Sequence, residues 1–408
     1  LSGVSFQDMW TELLPIGRSS ASGGYRRYAW TGADADCRAW FREQAEARGL
    51  DYEVDRNGNQ WAWLGDPAAG DAVVTGSHLD SVPDGGAFDG PLGVVSAFAA
   101  LDELRSRGVP LDRPLGIVNF GDEEGARFGL ACVGSRLAAG QLTVEQARLL
   151  TDGDGITLPR AMEAAGYDPE GIGADPERLA RIGAFVELHV EQGRALDLSG
   201  DQVGIASSIW PHGRWRFDFR GEANHAGTTR LGDRRDPMPA YAETVLAARR
   251  AAELAGAVAT FGKVAVEPNG VNAIPSLVRG WLDSRAAGQE TLDTVVREIE
   301  GAAREHAAAH GIDLEVVRES VTPVVEFDHA LRDELARLLG RDADLKVPVL
   351  GTGAGHDAGI LATSVPTAML FVRNPTGVSH SPAEFAAEDD CVAGVRALAD
   401  VLEGLARR

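Results

Sequence analysis

The stretch "GSHLDSVPDGGAFDG" sets His78 and Asp80 two apart and Asp89 eleven residues past His78, directly after the apolar run "AVVT". An imidazole that binds a metal commonly gives its other N–H to a carboxylate, so a His-x-Asp spacing suits a ligand and its orienting partner. Glycines flanking Asp89 let the backbone approach a bound group closely. "FGDEEGARFG" puts Glu123 and Glu124 side by side at the end of a second apolar run. Adjacent residues at a strand end point to opposite sides, so one glutamate can bind metal while the other faces a reacting water. "FVELHVEQG" sets His189 inside a third apolar run between Glu187 and Glu191, and "GVSHSPAE" carries His380 on a loop after a fourth, "AMLFVRN".

Taken singly, each of these has an ordinary structural explanation. His78 and Asp80 can be a loop-end ion pair, Asp89 a helix N-cap, the two glutamates a solvated acidic turn, His189 a hydrogen-bonded core histidine and His380 a surface-loop histidine. Taken together, four strand ends each deliver His, Asp or Glu, as α/β folds do when they build a site at strand carboxyl ends. Such a set suits two divalent ions in N/O coordination, which would neutralise the concentrated acid; the donors fit zinc, manganese, nickel and cobalt alike.

The elements that must position these residues follow from texture. "DAVVTGSH", "PLGIVNFGDEE" and "GAFVELHVEQG" read as strands and "LGVVSAFAALDELRSRG" as a helix. Their alternation up to about residue 205 implies an α/β sheet with helices on both faces. From Pro211 a period-two strand "GRWRFDFRGEA", a helix from Met238 to Ala255 and a strand "LVRGWLDSRA" mark an α+β insert over residues 210–322. The alternating texture then resumes with "VPVLGTGAGHDAGILA" and "TAMLFVRN" as strands or strand-to-loop joints. The expected organisation is a discontinuous domain, 1–209 and 323–408, interrupted by a smaller one.

At 408 residues, 44% hydrophobic and 25% charged, the chain is long enough for two domains of a soluble globular protein. A formal charge of -22 repels phosphate backbones and anionic lipid, so neither nucleic acid nor a membrane surface is an expected partner. An anionic substrate would need specific cations to receive it. No apolar run approaches a membrane span, and "LSGVSFQDMW" lacks signal-peptide features, so a cytoplasmic protein is expected. Cys37, Cys132 and Cys391 are odd in number, far apart and in no paired motif, which predicts buried thiols. "GTGAGHDA" satisfies a dinucleotide fingerprint by letter, but the βαβ unit and distant acid that give it meaning do not follow.

In order and spacing, "GSHLDSVPDGGAFDGPLG", "DEEGARFG", "ELHVEQG", "GEANHAGTT" and "GVSHSPAE" resemble the allantoate amidohydrolase and N-carbamoyl-L-amino acid hydrolase branch of the aminoacylase-like di-metal hydrolases. The resemblance spans nearly the whole chain and implies a mixed-sheet catalytic domain with an inserted α+β domain that serves as lid and homodimer contact. It implies that His78, Asp89 and His189 hold one ion, that Asp89, Glu124 and His380 hold the other, that Asp80 orients His78, and that Glu123 is the general base. It further implies His225 as an oxyanion donor reaching the partner subunit's site, and Gln192, Asn272, Arg285 and, more loosely, Gly355 as contacts for a small anionic substrate. His189 stands where peptidase relatives usually carry an acid, which points to the ureido-cleaving branch. Allantoate is the first substrate it suggests, N-carbamoyl-L-amino acids the second, N-formyl and N-formimino amino acids the third. Asp283 and Arg285, two apart on a strand, have the alternative of a surface ion pair; His356 and Asp357 have the alternative of a plain turn beside a role behind the metal ligands.

Overall fold

The apolar runs become a mixed nine-stranded sheet in the computed structural model, which describes residues 5–340 and 347–407. Its strands are β1 (Asp51–Val54), β2 (Gln60–Leu64), β3 (Ala72–His78), β4 (Leu115–Phe120), β5 (Ile182–Val190), β6 (Val203–Ile209), β13 (Val325–Glu326), β14 (Val349–Thr352) and β15 (Thr367–Val372). The order is β1-β2-β4-β3-β5-β15-β6-β13, with β14 pairing β6. The four central strands β4, β3, β5 and β15 run parallel, while β2 joins β4 and β6 joins β15 antiparallel. Parallel strands buried on both faces read as near-continuous apolar runs, and every residue of β3, β4 and β15 is buried, the polar Thr75, Ser77, His78 and Asn119 included.

One face of this sheet is covered by helices Phe6–Leu13, Gly32–Ala47, Pro91–Ser106, His329–Leu339 and Glu388–Ala406, whose apolar sides form one continuous core with Val73, Val186, Leu188 and Leu370. Helix Pro91–Ser106 is buried nearly all round because it lies in the middle of that layer. Each fully buried leucine or phenylalanine there contributes roughly 1.5–3 kcal/mol. Residues 133–179 form four short helices around a separate core that includes Trp30, Phe128, Leu137 and Met162. The alternation rule did not distinguish this excursion from ordinary crossover helices, because each piece is too short to show a period. All three cysteines are buried and unpaired.

By contact the chain divides into two compact units: one from the chain before Ser208, Glu326–Leu350 and Gly355 onward, the other from Ser208–Val325 with Gly351–Ala354. The second unit holds a four-stranded antiparallel sheet ordered β12-β7-β11-β9, from β7 (His212–Arg220), β9 (Val258–Glu267), β11 (Leu277–Arg285) and β12 (Asp313–Thr322). A two-stranded ribbon pairs β8 (Asn224–His225) with β10 (Ala273–Ile274). The period-two pattern works as physics requires: Trp215, Phe217 and Phe219 pack with helices Pro237–Ala255 and Gln289–Ala309, while Asp218 on the opposite face accepts hydrogen bonds from Arg216, Arg220 and Arg279. Among the described residues no helix is long and apolar enough to cross a membrane.

Gly76 ties fold to site. Its φ is +146°, and a Cβ there would drive into the Val118 carbonyl of the neighbouring strand, two residues before His78. Gly76→Ala is expected to destabilise by several kcal/mol through that clash and the strained φ. Gly301→Ala, in a helix with open space around it, is expected to stabilise by about 0.5–1 kcal/mol. Urea unfolding midpoints of the two variants check both.

Candidate metal centre

His78 closes β3 and His189 is the last residue but one of β5, so their parallel alignment beside β4 brings both buried rings to the same end of the sheet. Asp89 lies between them on the loop after β3. Its Oδ1 is 3.1 Å from His189 Nε2 and 3.7 Å from His78 Nε2, and its Oδ2 is 3.3 Å from His380 Nε2. Glu124 Oε2 lies 3.6 Å from His380 Nε2. Ligand atoms of His78, Asp89 and His189 fall within 4.8 Å of one another, and so do those of Asp89, Glu124 and His380, with Asp89 common to both sets. His78, Glu123 and Glu124, and Glu187, His189 and His356, form two further such groups.

The fit to cations shows in what these groups lack. The Nε2 atoms of His78 and His189 are buried without a hydrogen-bond partner, since the approach of Asp89 to them does not have hydrogen-bond geometry. Two orphaned imidazole nitrogens aimed at a carboxylate are a donor set for a divalent ion. Asp80 braces this arrangement from behind: its Oδ1 is 3.3 Å from His78 Nδ1, and its carboxylate accepts the backbone N–H groups of Glu123 and Glu124 at 3.2 and 3.0 Å. One residue therefore orients a ring and fixes both glutamates. Gly90, with φ +85°, begins helix Pro91–Ser106, and a Cβ there would overlap the His78 ring. The cap is this glycine, so Asp89 stands one residue outside the helix and is not its N-cap.

Glu123 and Glu124 lie in a bend beyond the end of β4. Strand alternation therefore does not set their directions; the turn made by Asp122 at φ +56° does. Glu123 Oε2 faces His78 Nε2 at 3.7 Å, and its Oε1 accepts the Cys132 thiol at 3.3 Å. Burial, opposed by His78 and reinforced by Asp357 and Glu124, holds the Glu123 carboxyl well above its usual range. Burial and the charge of Asp89 push Glu124 up to about 7. Burial also pushes on Asp89, yet His189, His380 and His78 outweigh it and hold that carboxyl well below its usual range. Its N–H toward the Asp89 carboxylate, 3.3 Å away, brings His380 up to about 9 against burial. One histidine behind the centre goes the other way: burial and the neighbouring His189, whose ring centroid is 4.4 Å away, hold His356 well below 6.5.

Other side chains complete the centre, among them Ser379 and Glu384, which the sequence reading did not single out. Gln192 Nε2 donates to Asp89 Oδ2 at 2.9 Å and to Ser379 Oγ at 3.0 Å, so its amide reaches the shared carboxylate. Glu384 accepts from the backbone N–H groups of Phe88 and Asp89. Glu187 accepts from Ser77 and from the Ala358 N–H, and Asp357 from Ser135, so His356 and Asp357 sit in a buried polar layer rather than a plain turn. Glu191 caps the turn at Ala195 and Leu196. Gly355 lies in the turn between β14 and helix Asp357–Leu361 with open space beside it.

The remaining expected residues belong to the second unit. His225 is exposed on the β8–β10 ribbon beside Asn272, whose carbonyl accepts from Ala226. His225 Nδ1 accepts the N–H groups of Gly227 and Thr228 at 3.0 and 3.2 Å, so in the neutral tautomer Nε2 is the ring nitrogen that can donate. Arg285 is partly engaged: it pairs with Asp283 at 2.8 Å and donates Nη1 to the Gly353 carbonyl at 2.5 Å, so the ion-pair alternative is what this structure shows.

A family model described as "Peptidase family M20/M25/M40" matches residues 74–404. The N-carbamoyl-L-amino acid amidohydrolase of Geobacillus stearothermophilus is 36% identical over 97% of both chains, and the allantoate amidohydrolase of Escherichia coli (strain K12) is 33% identical over 94% of both. A solved hydantoinase/carbamoylase family amidase from Burkholderia ambifaria superposes with a TM-score of 0.86 at 31% identity, over 99% of this chain and 98% of its own. By family model, by identity over nearly its whole length and by fold, the chain is an amidohydrolase of this peptidase family, in its hydantoinase/carbamoylase amidase branch.

Proposed function

We propose that the chain hydrolyses a C–N bond in a small carboxylate-bearing ureido compound using two divalent ions, with allantoate the first substrate to test and N-carbamoyl-L-amino acids the alternative. The observation that carries this is Asp89, whose Oδ1 faces the imidazoles of His78 and His189 and whose Oδ2 faces that of His380. His78, Asp89 and His189 would hold one ion and Asp89, Glu124 and His380 the other. Bound there, divalent ions supply Lewis acidity and lower the pKa of an attacking water. Relatives at 36% and 33% identity act on carbamoyl and allantoate substrates by their names, which supports the class and leaves both substrates in the test.

The chain's own residues supply the rest. Glu123 Oε2 takes the proton of the attacking water and returns it to the leaving nitrogen, with Oε1 kept in place by Cys132. A carboxyl whose affinity for protons is raised suits that exchange. Asp80 holds the His78 ring and the Glu123 backbone in register. The Nε2–H of His225 stabilises the developing oxyanion, and Asn272 and Arg285 receive the substrate carboxylate, Arg285 by releasing Asp283 or sharing its fork.

The insert would join two copies. β9 ends the order of its sheet, and Val258 and Val264 on it and Leu246 and Leu254 on helix Pro237–Ala255 are exposed. An apolar edge strand is a template for a second copy. His225 would then serve the partner's site.

Chelation is expected to abolish turnover, with recovery on adding zinc, manganese, cobalt or nickel; a kinetic panel of allantoate, N-carbamoyl and N-formyl amino acids identifies the substrate, and no turnover of any by the reloaded protein overturns the reading. Glu123→Gln should lower kcat by roughly 10²–10⁴ while elemental analysis still finds the ions. His225→Ala should cost about 10²–10³ in kcat. After subunit exchange, mixing those two inactive variants should restore up to about a quarter of wild-type activity, because half the dimers are hybrid and one site in each is whole; no recovery, or an active monomer by light scattering, removes the cross-subunit role.

A further inference from the structure

Glu384 lies four residues past His380 and is buried, yet it belongs to neither ligand set. Its Oε1 accepts the backbone N–H of Phe88 at 2.8 Å and of Asp89 at 2.9 Å. Its Oε2 accepts the Ser379 hydroxyl at 3.3 Å, and the same hydroxyl lies 3.2 Å from Asp89 Oδ2. Two of the three bonds on this carboxylate therefore join loops nearly three hundred positions apart in the chain, and the third ties it to its own loop beside His380. The fit is close: a Cβ at Gly86 would collide with the Glu384 side chain.

Both loops need holding. Asp89 rides on a segment rich in glycine, Gly85, Gly86 and Gly90. His380 has φ +55°, a left-handed backbone that a histidine keeps only where its surroundings over-determine it. On the near side of His380, Asn374 knots the loop by accepting from Thr376 and Gly377 and donating to Val378. On the far side Glu384 closes it through its own N–H to the Ser381 carbonyl. His78 and His189, by contrast, are fixed by strands.

We infer that Glu384 is a positioning residue that clamps the Asp89 loop to the His380 loop and thereby completes the Asp89–Glu124–His380 ion position in preference to the His78–Asp89–His189 one. This rests on the two-metal reading above. Loss of the carboxylate frees His380 from Asp89 while leaving the two strand histidines where they are. Partners behind metal ligands of this kind are typically worth about 10–100-fold in metal affinity.

The test is titration of chelator-stripped protein with Mn²⁺ or Co²⁺ alone, by calorimetry and by equilibrium dialysis with elemental analysis. Wild type is expected to take two ions; Glu384→Ala should keep the tighter one and bind the second about 10–100-fold more weakly. Glu384→Gln, whose amide oxygen accepts both N–H groups, should bind both to within a few-fold of wild type. General loosening of the fold would weaken both positions together, so Glu384→Ala binding both ions as wild type does, or losing both equally, overturns the clamp. If Glu384→Ala does not fold, Ser379→Ala, which removes the hydroxyl between Glu384 Oε2 and Asp89 Oδ2 together with its bond from Gln192 Nε2 and leaves the two N–H bonds to Glu384 Oε1, should weaken the second ion about threefold to tenfold; unchanged affinity overturns the clamp. Wild type taking fewer than two ions overturns the two-metal reading itself, in an arm that contains no variant, and the clamp with it.

Discussion

Buried acid at the ends of parallel strands is the constraint on which the rest of this molecule turns. Asp80, Asp89 and Glu123 are buried and the Glu124 side chain is only 8% exposed, all within one small volume. Two like charges 4 Å apart repel by about 4 kcal/mol at an effective dielectric of 20. The partners this structure gives them are imidazoles, backbone N–H groups, a thiol, a serine and a glutamine, which cannot cancel that charge while the imidazoles stay neutral. Protons supply one relief, in the direction of the raised proton affinities of Glu123, Glu124 and His380; divalent ions supply a stronger one.

The scaffold is organised around keeping that volume rigid. Ligands on β3 and β5 inherit the stiffness of central strands, with Gly76 permitting the close approach of β3 to β4. Ligands on loops are held by side chains instead: Asp80 fastens the Glu123–Glu124 bend, and Asn374 and Glu384 fasten the loop of His380. Positive φ at Asp122, Cys132 and His380 places backbone strain at or beside these positions. The second unit has a different economy: its sheet buries aromatic residues against two helices and spends its opposite face on arginine–carboxylate pairs.

Much of the chemistry was legible in letters because each ligand sits next to an apolar run whose identity as a strand is a matter of composition. β3, β4, β5, β7, β11 and β15 follow their sequence patterns closely. The short pieces did not read so easily: residues 133–179, β1 and β2 lack the length to display a period, and local propensity there is overridden by packing. The fixed direction of Glu123 and Glu124 was also out of reach, because a bend residue at φ +56° and a carboxylate more than forty positions earlier set it.

The sequence by itself pointed to the candidate donor set, His78, Asp89, Glu124, His189 and His380, and determined the α/β class and the branch of the family, since these depend on residue identity and on spacing along a strand. Only the tertiary structure decided that the two oxygens of Asp89 face different imidazoles, that Gly90 and not Asp89 caps the helix, that Arg285 is turned onto Asp283, and that Glu384 joins two distant loops. The reason is distance along the chain: a hydrogen bond between residues hundreds of positions apart exists only after the sheet has brought them together, and no local pattern of side chains encodes which atom of a carboxylate will face which partner.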